Sequence, residues 1–197
     1  AGWVPMAFLY RIFSYLIFLL ALPVIPFFPR IRGGLKVRLG LAPAAAAPRG
    51  AVWLHGASAG DLAALFPIAQ AIREKRPGQP LYVSTITNTG LAMGRQKFAG
   101  VAEVGYAPFD IPFAVKRSIA AVAPSVIVLE YTEIWPNLIA GAKRAGAKVV
   151  LVNGRFEVSR MFWYRVFFRL IGNPLHDIDL FLMRDQYEAF SNAVRGL

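Results

Sequence analysis

The sequence predicts an α/β domain built on a doubly wound parallel sheet, preceded by an apolar helix. Two observations carry that prediction. Short apolar runs at 51–55, 81–85, 102–106, 125–130, 148–152 and 179–183 alternate with helix-like stretches. Continuous apolar strands with intervening helices belong to a parallel sheet covered on both faces. Ahead of them, residues 12–28 hold no charge, a length at the lower edge of what crosses a bilayer. The whole chain of 197 residues suits one domain with a real core and is short for two.

From Phe8 to Pro29 the chain is apolar apart from Arg11 and a few hydroxyl side chains. Pro23, Pro26 and Pro29 bend or end a helix near its C-terminal side. A secretory signal peptide requires a small-residue cleavage site, whereas a basic cluster follows Phe28. Hydrophobicity all round argues against a buried core helix. The segment reads as a membrane anchor, either spanning the bilayer or dipping into one leaflet. Arg30, Arg32, Lys36 and Arg38 then mark the cytoplasmic side. Residues 1–40 form anchor and basic flank, 41–50 a Pro/Ala linker, and 51–197 the body.

Composition narrows the function classes. Hydrophobic residues make up 56% of the chain and mean hydropathy is +0.48, which points towards a membrane. The absence of cysteine excludes disulfides and thiolate metal sites. With His55 and His176 the only histidines, a histidine-rich metal centre has little scope, so no metal is expected. Net charge is +11, and no acid precedes Asp61. Such an excess suits nucleic acid or an anionic membrane surface. The aromatics cluster beside apolar runs instead of within a Lys-rich tract, which favours anionic membrane lipids as partner and sets nucleic acid aside.

In doubly wound sheets, ligands sit beyond the carboxyl ends of the strands. That rule selects the loops 55–61, 85–90, 106–112, 130–137 and 153–160. In the first, Gly56 and Gly60 allow the backbone close to a ligand, and Ala57 and Ala59 keep a pocket open. Asp61 opens the next helix, whose dipole favours the ionised form. Such a carboxylate takes a proton from a sugar hydroxyl or serves as a helix cap. Thr85, Thr87, Thr89 and Gly90 offer an oxyanion site or a plain threonine cap. Asp110, between two prolines, reads as a cap before Pro112. Glu130 and Glu133 flank Tyr131 and Thr132, with Trp135 and Asn137 opening the following helix. The fifth loop offers Asn153, Arg155, Glu157 and Arg160.

Gly56 to Gly60 also fits G-x-S-x-G, the pattern of a hydrolase nucleophile elbow with Ser58 at its centre. That chemistry requires an acid and a histidine base further along the chain. Only His176 follows, and it precedes the sixth strand, at the wrong end of the sheet to meet Ser58. The triad fails on geometry.

Together the loops resemble one family, the Kdo (3-deoxy-D-manno-octulosonic acid) transferases of lipopolysaccharide synthesis. The resemblance runs from "LYRIFSYLIFLLALP" to about Tyr164. It comprises "WLHGASAGD" for an H-A-x-S-x-G-E loop, "TITNTG" for T-x-T-x-T-G, "YAPFDIP" for Y-x-P-Y-D-x-P, "TEIWPNLI" for T-E-L-W-P-N and "NGRF" for N-A-R-L. It implies the Rossmann-like N-terminal, acceptor-binding domain of a GT-B glycosyltransferase at the cytoplasmic side of the inner membrane. The implied reaction transfers Kdo from CMP-Kdo to a lipid A precursor, inverting the anomeric configuration with neither metal nor cofactor. The nucleotide-binding half, which holds most of the CMP-Kdo site, lies outside this chain. The implied base is Asp61, one methylene shorter than the family glutamate. The implied acceptor-binding residues are Ser58, Gly60, Thr87, Thr89, Gly90, Glu133, Asn137 and Arg155. The family's second functional acid falls at Tyr131; Glu130, one place earlier on a strand, is expected to point to the opposite face. A transferase of another sugar, or a non-catalytic lipid-binding relative, stands as the alternative.

Finally, "RMFWYRVFFRL" at 160–170 interleaves arginines with aromatics. Arg160, Arg165 and Arg169 fall near one side of a helix, as for a helix lying at a lipid headgroup surface. Trp163 and Phe168 are the aromatic residues expected to meet lipid beside them.

Overall fold

The computed structural model describes residues 3–29, 33–42, 49–155 and 161–184. Helices α1 (Trp3–Ala21) and α2 (Leu35–Arg38) precede the sheet. Strand β1 (Val52–His55) leads to α3 (Ala59–Lys75), β2 (Leu81–Thr85) to α4 (Asn88–Lys97), and β3 (Glu103–Tyr106) to α5 (Pro112–Val122). Then β4 (Val126–Glu130) leads to α6 (Pro136–Arg144), β5 (Lys148–Gly154) to α7 (Met161–Ile171), and β6 (Leu180–Met183) closes the order. All six strands fall where the apolar runs predicted them. They form one sheet in the order β3-β2-β1-β4-β5-β6, with every pairing parallel. The expected Rossmann-like architecture is present.

Two apolar layers cover the sheet. On one face α3 and α4 contribute Leu62, Leu65 and Leu91 against Leu54, Val83 and Val128. On the other, α5, α6 and α7 contribute Ile119, Leu138 and Phe168 against Trp53, Ile127 and Leu151. Alternate residues of one strand therefore serve opposite layers, as the period of two requires. Each fully buried Leu or Ile contributes roughly 1.5–3 kcal/mol, so this double covering holds the strand ends, and the loops they carry, in place.

Among the described residues no helix is long and apolar enough to cross a membrane. Helix α1 lies along the body. Tyr10 donates its hydroxyl to Asp110 Oδ2 at 2.9 Å, Asn137 Nδ2 donates to Ser14 Oγ at 3.2 Å, and Tyr15 Oη accepts from the Phe113 backbone at 3.0 Å. The outward residues Leu9, Phe13, Leu16 and Leu20 stay exposed. Arg38, expected in a solvent-facing basic flank, is 1% exposed. Its guanidinium donates to the Gly33 and Ile86 carbonyls and lies over the Tyr106 ring, 4.1 Å from the centroid. Carbonyls and an aromatic face replace the carboxylate such a buried cation usually finds. Arg30, Arg32, Glu157 and Arg160, with most of the 41–50 stretch, lie outside the described residues.

Candidate active site at the switch point of the sheet

The strand order reverses between β1 and β4, so the loops leaving those strands diverge and open a crevice at their carboxyl ends. The β1 loop places Asp61 there. Asp61 is the third residue of α3 and forms a capping box with Ser58. Its Oδ2 accepts from the Ser58 backbone N–H at 2.8 Å and from the Ser58 hydroxyl at 2.9 Å. Among the described residues no hydrogen bond engages Oδ1. The cap and the candidate base are thus one side chain, with one oxygen fixed and the other free to accept a proton.

The glycines of this loop have different tasks from those expected. A Cβ on Gly56 would stand 2.6 Å from Asp61 Cβ, so its smallness makes room for Asp61 itself. A Cβ on Gly60 would meet nothing nearer than Ser58 Oγ at 3.8 Å; this position tolerates a side chain.

Across the crevice, Glu130 is 4% exposed at the end of β4. Burial pushes its carboxyl above the usual range, and the charge of Asp61 adds to the rise, while the Asn153 amide and Arg184 oppose it. Strand alternation puts Glu130 on the face of Val128, two residues earlier, which α3 covers and where Asp61 stands, contrary to the sequence expectation. The next residue, Tyr131, takes φ +59° and is 38% exposed. A bulky residue in the left-handed region marks local strain, and the strand ends there.

Asn153 repeats the device on the neighbouring strand. It has φ +51° and sits at a register shift between Val152 and Gly154. The bulge aims its amide at Glu130, donating to both carboxylate oxygens at 3.1 and 3.0 Å. Asp61, Glu130, Asn153 and Arg184 thus form one electrostatic neighbourhood. Arg184 was missed from the sequence, although the end of β6 obeys the same strand-end rule.

A second polar group occupies the other face of the same strand ends. Trp53 Nε1 donates to Ser84 Oγ at 2.8 Å, and Ser84 Oγ lies 2.9 Å from His55 Nδ1. The Ser84 hydroxyl has one proton and two lone pairs, so it donates to Nδ1 or accepts from it according to the imidazole tautomer. Nε2 is buried, lacks a hydrogen bond, and stands 3.5 Å from Glu133 Oε2. Trp135 Nε1 donates to the same oxygen at 2.8 Å. Glu133, half-buried, is thereby held from two sides with Oε1 left open.

Of the remaining predicted residues, Thr87 caps α4, its hydroxyl accepting from Gly90 N at 3.0 Å. Thr89 Oγ1 donates to Thr87 Oγ1 at 3.3 Å and is exposed. A Cβ on Gly90 would come within 2.4 Å of Thr85 Oγ1, so that glycine serves packing. Asn137 is buried, its amide spent on the Asp110 carbonyl at 2.6 Å and on Ser14. It joins α1 to the loops and has no donor left for a ligand. Asp110 caps α6, the helix after its own, accepting from Asn137 N and Leu138 N at 3.1 and 2.8 Å. Arg155 is exposed at the end of β5. On α7, Trp163, Arg165 and Arg169 are exposed, but Phe168 is 4% exposed and belongs to the core, which removes it from the expected lipid-facing set. His176 lies ahead of β6, at the opposite sheet end from Ser58. Among the described residues no group of three or more His, Asp or Glu is placed to hold a metal ion.

Comparison with known proteins decides the family. Residues 33–192 match the model of the 3-deoxy-D-manno-octulosonic-acid transferases (kdotransferase). The chain belongs to that family. A 3-deoxy-D-manno-octulosonic acid transferase of Chlamydia pneumoniae is 30% identical over 177 residues, 87% of this chain and 40% of the relative. One from Bordetella pertussis is 37% identical over 115 residues, 56% of this chain and 26% of the relative. One from Haemophilus influenzae is 30% identical over 130 residues, 66% of this chain and 30% of the relative. The chain thus spans two fifths or less of these Kdo transferases. Within the Kdo transferase pattern, Asp61 stands at the glutamate of the first loop. Glu130, one residue ahead of the second acid's position, lies on the sheet face that α3 covers.

Proposed function

We propose that this chain is the acceptor-binding half of a glycosyltransferase that moves Kdo from CMP-Kdo to a lipid A precursor, with Asp61 as general base. The observation that carries the proposal is Asp61 itself. It opens a helix at the switch point of the sheet, with one oxygen fixed and one free, in a chain of the Kdo transferase family. In the proposed step, Asp61 Oδ1 accepts the proton of an acceptor sugar hydroxyl. The hydroxyl oxygen bonds to the anomeric carbon of Kdo, and the bond from that carbon to the CMP phosphate oxygen breaks. Attack from the face opposite the leaving group inverts the centre, and CMP departs as the monophosphate. The chemistry calls for neither metal nor cofactor. Glu133 Oε1, the Thr89 hydroxyl and Arg155 are the polar groups free to contact acceptor, while Ser58 orients the base. Glu130 and Asn153 form the wall beside it.

The same reading places the protein on the cytoplasmic face of the inner membrane. Leu9, Ile12, Phe13 and Leu16 of α1 line an apolar cavity of about 420 Å³ with Phe167 and Leu170 of α7. Such surface suits a helix pair dipping into one leaflet without crossing it.

The deciding experiment incubates the full-length protein carrying this chain, in detergent, with CMP-Kdo and a tetraacylated lipid A precursor, and follows product by mass. Wild type transfers Kdo, Asp61→Ala loses transfer by at least the ~100-fold that general-base catalysis contributes, and its unfolding midpoint shows it folded. Full activity in Asp61→Ala would remove the base assignment. Absence of transfer by wild type would overturn the donor or the activity.

A further inference from the structure

A second cavity, of about 620 Å³, runs between α5 and α6 beside α1. Arg11, Arg49, Lys116 and Arg144 line it, and none of its lining residues is an acid. Among the described residues none of these four cations takes an ion pair. The cations crowd one another: burial lowers the Arg144 pKa and the charge of Arg11 lowers it further, with Asp177 opposing. Four like charges around one cavity repel unless an anion sits among them.

The cavity is remote from Asp61. Arg49 precedes β1, Pro124 precedes β4 and Ala145 precedes β5, so it borders the amino ends of the strands. The crevice described above lies at their carboxyl ends. Its floor is apolar, with Ile119, Ala123 and Pro124 beneath the basic rim. An inorganic anion uses the rim alone; a molecule with a phosphate and an apolar portion uses both. The position of α1 adds the decisive continuity. Arg11 lines this basic cavity, while its neighbours Tyr10 and Ile12 line the apolar cavity shared with α7. One helix thus divides a basic cavity from an apolar one.

We propose that the groove of Arg11, Arg49, Lys116 and Arg144 is a binding site for the phosphate headgroup of an anionic glycerophospholipid, separate from the acceptor crevice. The proposal rests on the membrane-facing reading of α1 and α7 and gives it a partner. The phosphodiester takes Arg11 and Arg144 at the α1 end, with Lys116 and Arg49 closing the rim, and the glycerol backbone covers Ile119 and Ala123. Occupied, the groove fixes α1 against the domain at the lipid surface.

The test measures co-sedimentation of the full-length protein with vesicles of phosphatidylcholine alone or doped with phosphatidylglycerol. Wild type prefers the doped vesicles. The triple variant Arg49→Gln/Lys116→Gln/Arg144→Gln keeps its binding to phosphatidylcholine, made by the apolar face, and loses on the order of a hundredfold of the preference, from about fivefold per cation at an anionic surface. The control Lys75→Gln/Arg76→Gln/Arg95→Gln removes the same charge from the α3 and α4 side and keeps most of the preference. Equal losses in both variants would reduce the effect to net charge and overturn the site. Failure of wild type to bind either vesicle would overturn the membrane reading instead. Soluble dihexanoyl-phosphatidylglycerol then reports on the groove alone: saturable binding abolished by the triple variant supports it, and none refutes it. Competition by inorganic phosphate at equal concentration would show a free-anion site instead of a lipid one.

Discussion

The bond between Tyr10 and Asp110 joins residues a hundred positions apart and carries the docking of α1. Replacing Asp110 with alanine removes three accepted hydrogen bonds: from Tyr10 at 2.9 Å, Asn137 N at 3.1 Å and Leu138 N at 2.8 Å. Two of these cap α6, whose own flanking residue, Trp135, supplies no side-chain cap. Loss of a cap costs about 1 kcal/mol, and stranding the part-buried Tyr10 hydroxyl about another 1–2 kcal/mol. Burial pushes Asp110 upwards, against the hydrogen bonds it accepts, and escape from that desolvation offsets part of the loss. The net expectation is about 2 kcal/mol, or roughly 4–8 °C in Tm for a domain of this size. Guanidinium unfolding followed by tryptophan fluorescence reads the change. Tyr10→Phe alone costs about 1 kcal/mol, and the double variant shows a coupling of about 1 kcal/mol with Asp110→Ala. Additive losses, with no coupling, would refute the docking of α1 through this bond.

Two further outcomes follow from the crevice. Gly56→Ala forces Asp61 to shift, because its Cβ lands 2.6 Å from Asp61 Cβ, and destabilises by about 1–3 kcal/mol; Gly60→Ala, at an open helical position, is neutral or stabilising by up to about 1 kcal/mol. Denaturation midpoints compare the pair, and equal effects would contradict the division of labour between the glycines. Glu130 has its pKa raised in the folded state, so its contribution is fullest below the unfolded value of about 4.3 and is lost as pH rises through the folded value. Wild type therefore loses stability relative to Glu130→Gln as pH climbs from about 4 to neutrality. A flat difference across that range would show that Glu130 is not desolvated.

Much of the frame was legible in the residues. Apolar runs such as VIVLE and KVVLV allow only strands buried on both faces, because every side chain must find an apolar layer. The loops at their ends followed, and with them Asp61, Glu133 and the Thr87 region. The individual assignments within those loops were less legible. Asn137 looked like a ligand donor and is consumed by α1; Phe168 looked like a lipid contact and fills the core. Each sits in a pattern that a buried and an exposed residue satisfy equally.

The sequence by itself determined the strand and helix alternation, the parallel sheet, the carboxyl-end loops and the family, because periodicity and motif order are properties of neighbours along the chain. Tertiary structure alone decided that α1 lies on the domain and that four cations from four separate segments enclose one groove. It also decided that Glu130 and Asp61 share one side of the sheet. Alternation puts Glu130 on the face of Val128, but which face the helix carrying Asp61 covers is set by packing between layers, which linear spacing does not encode.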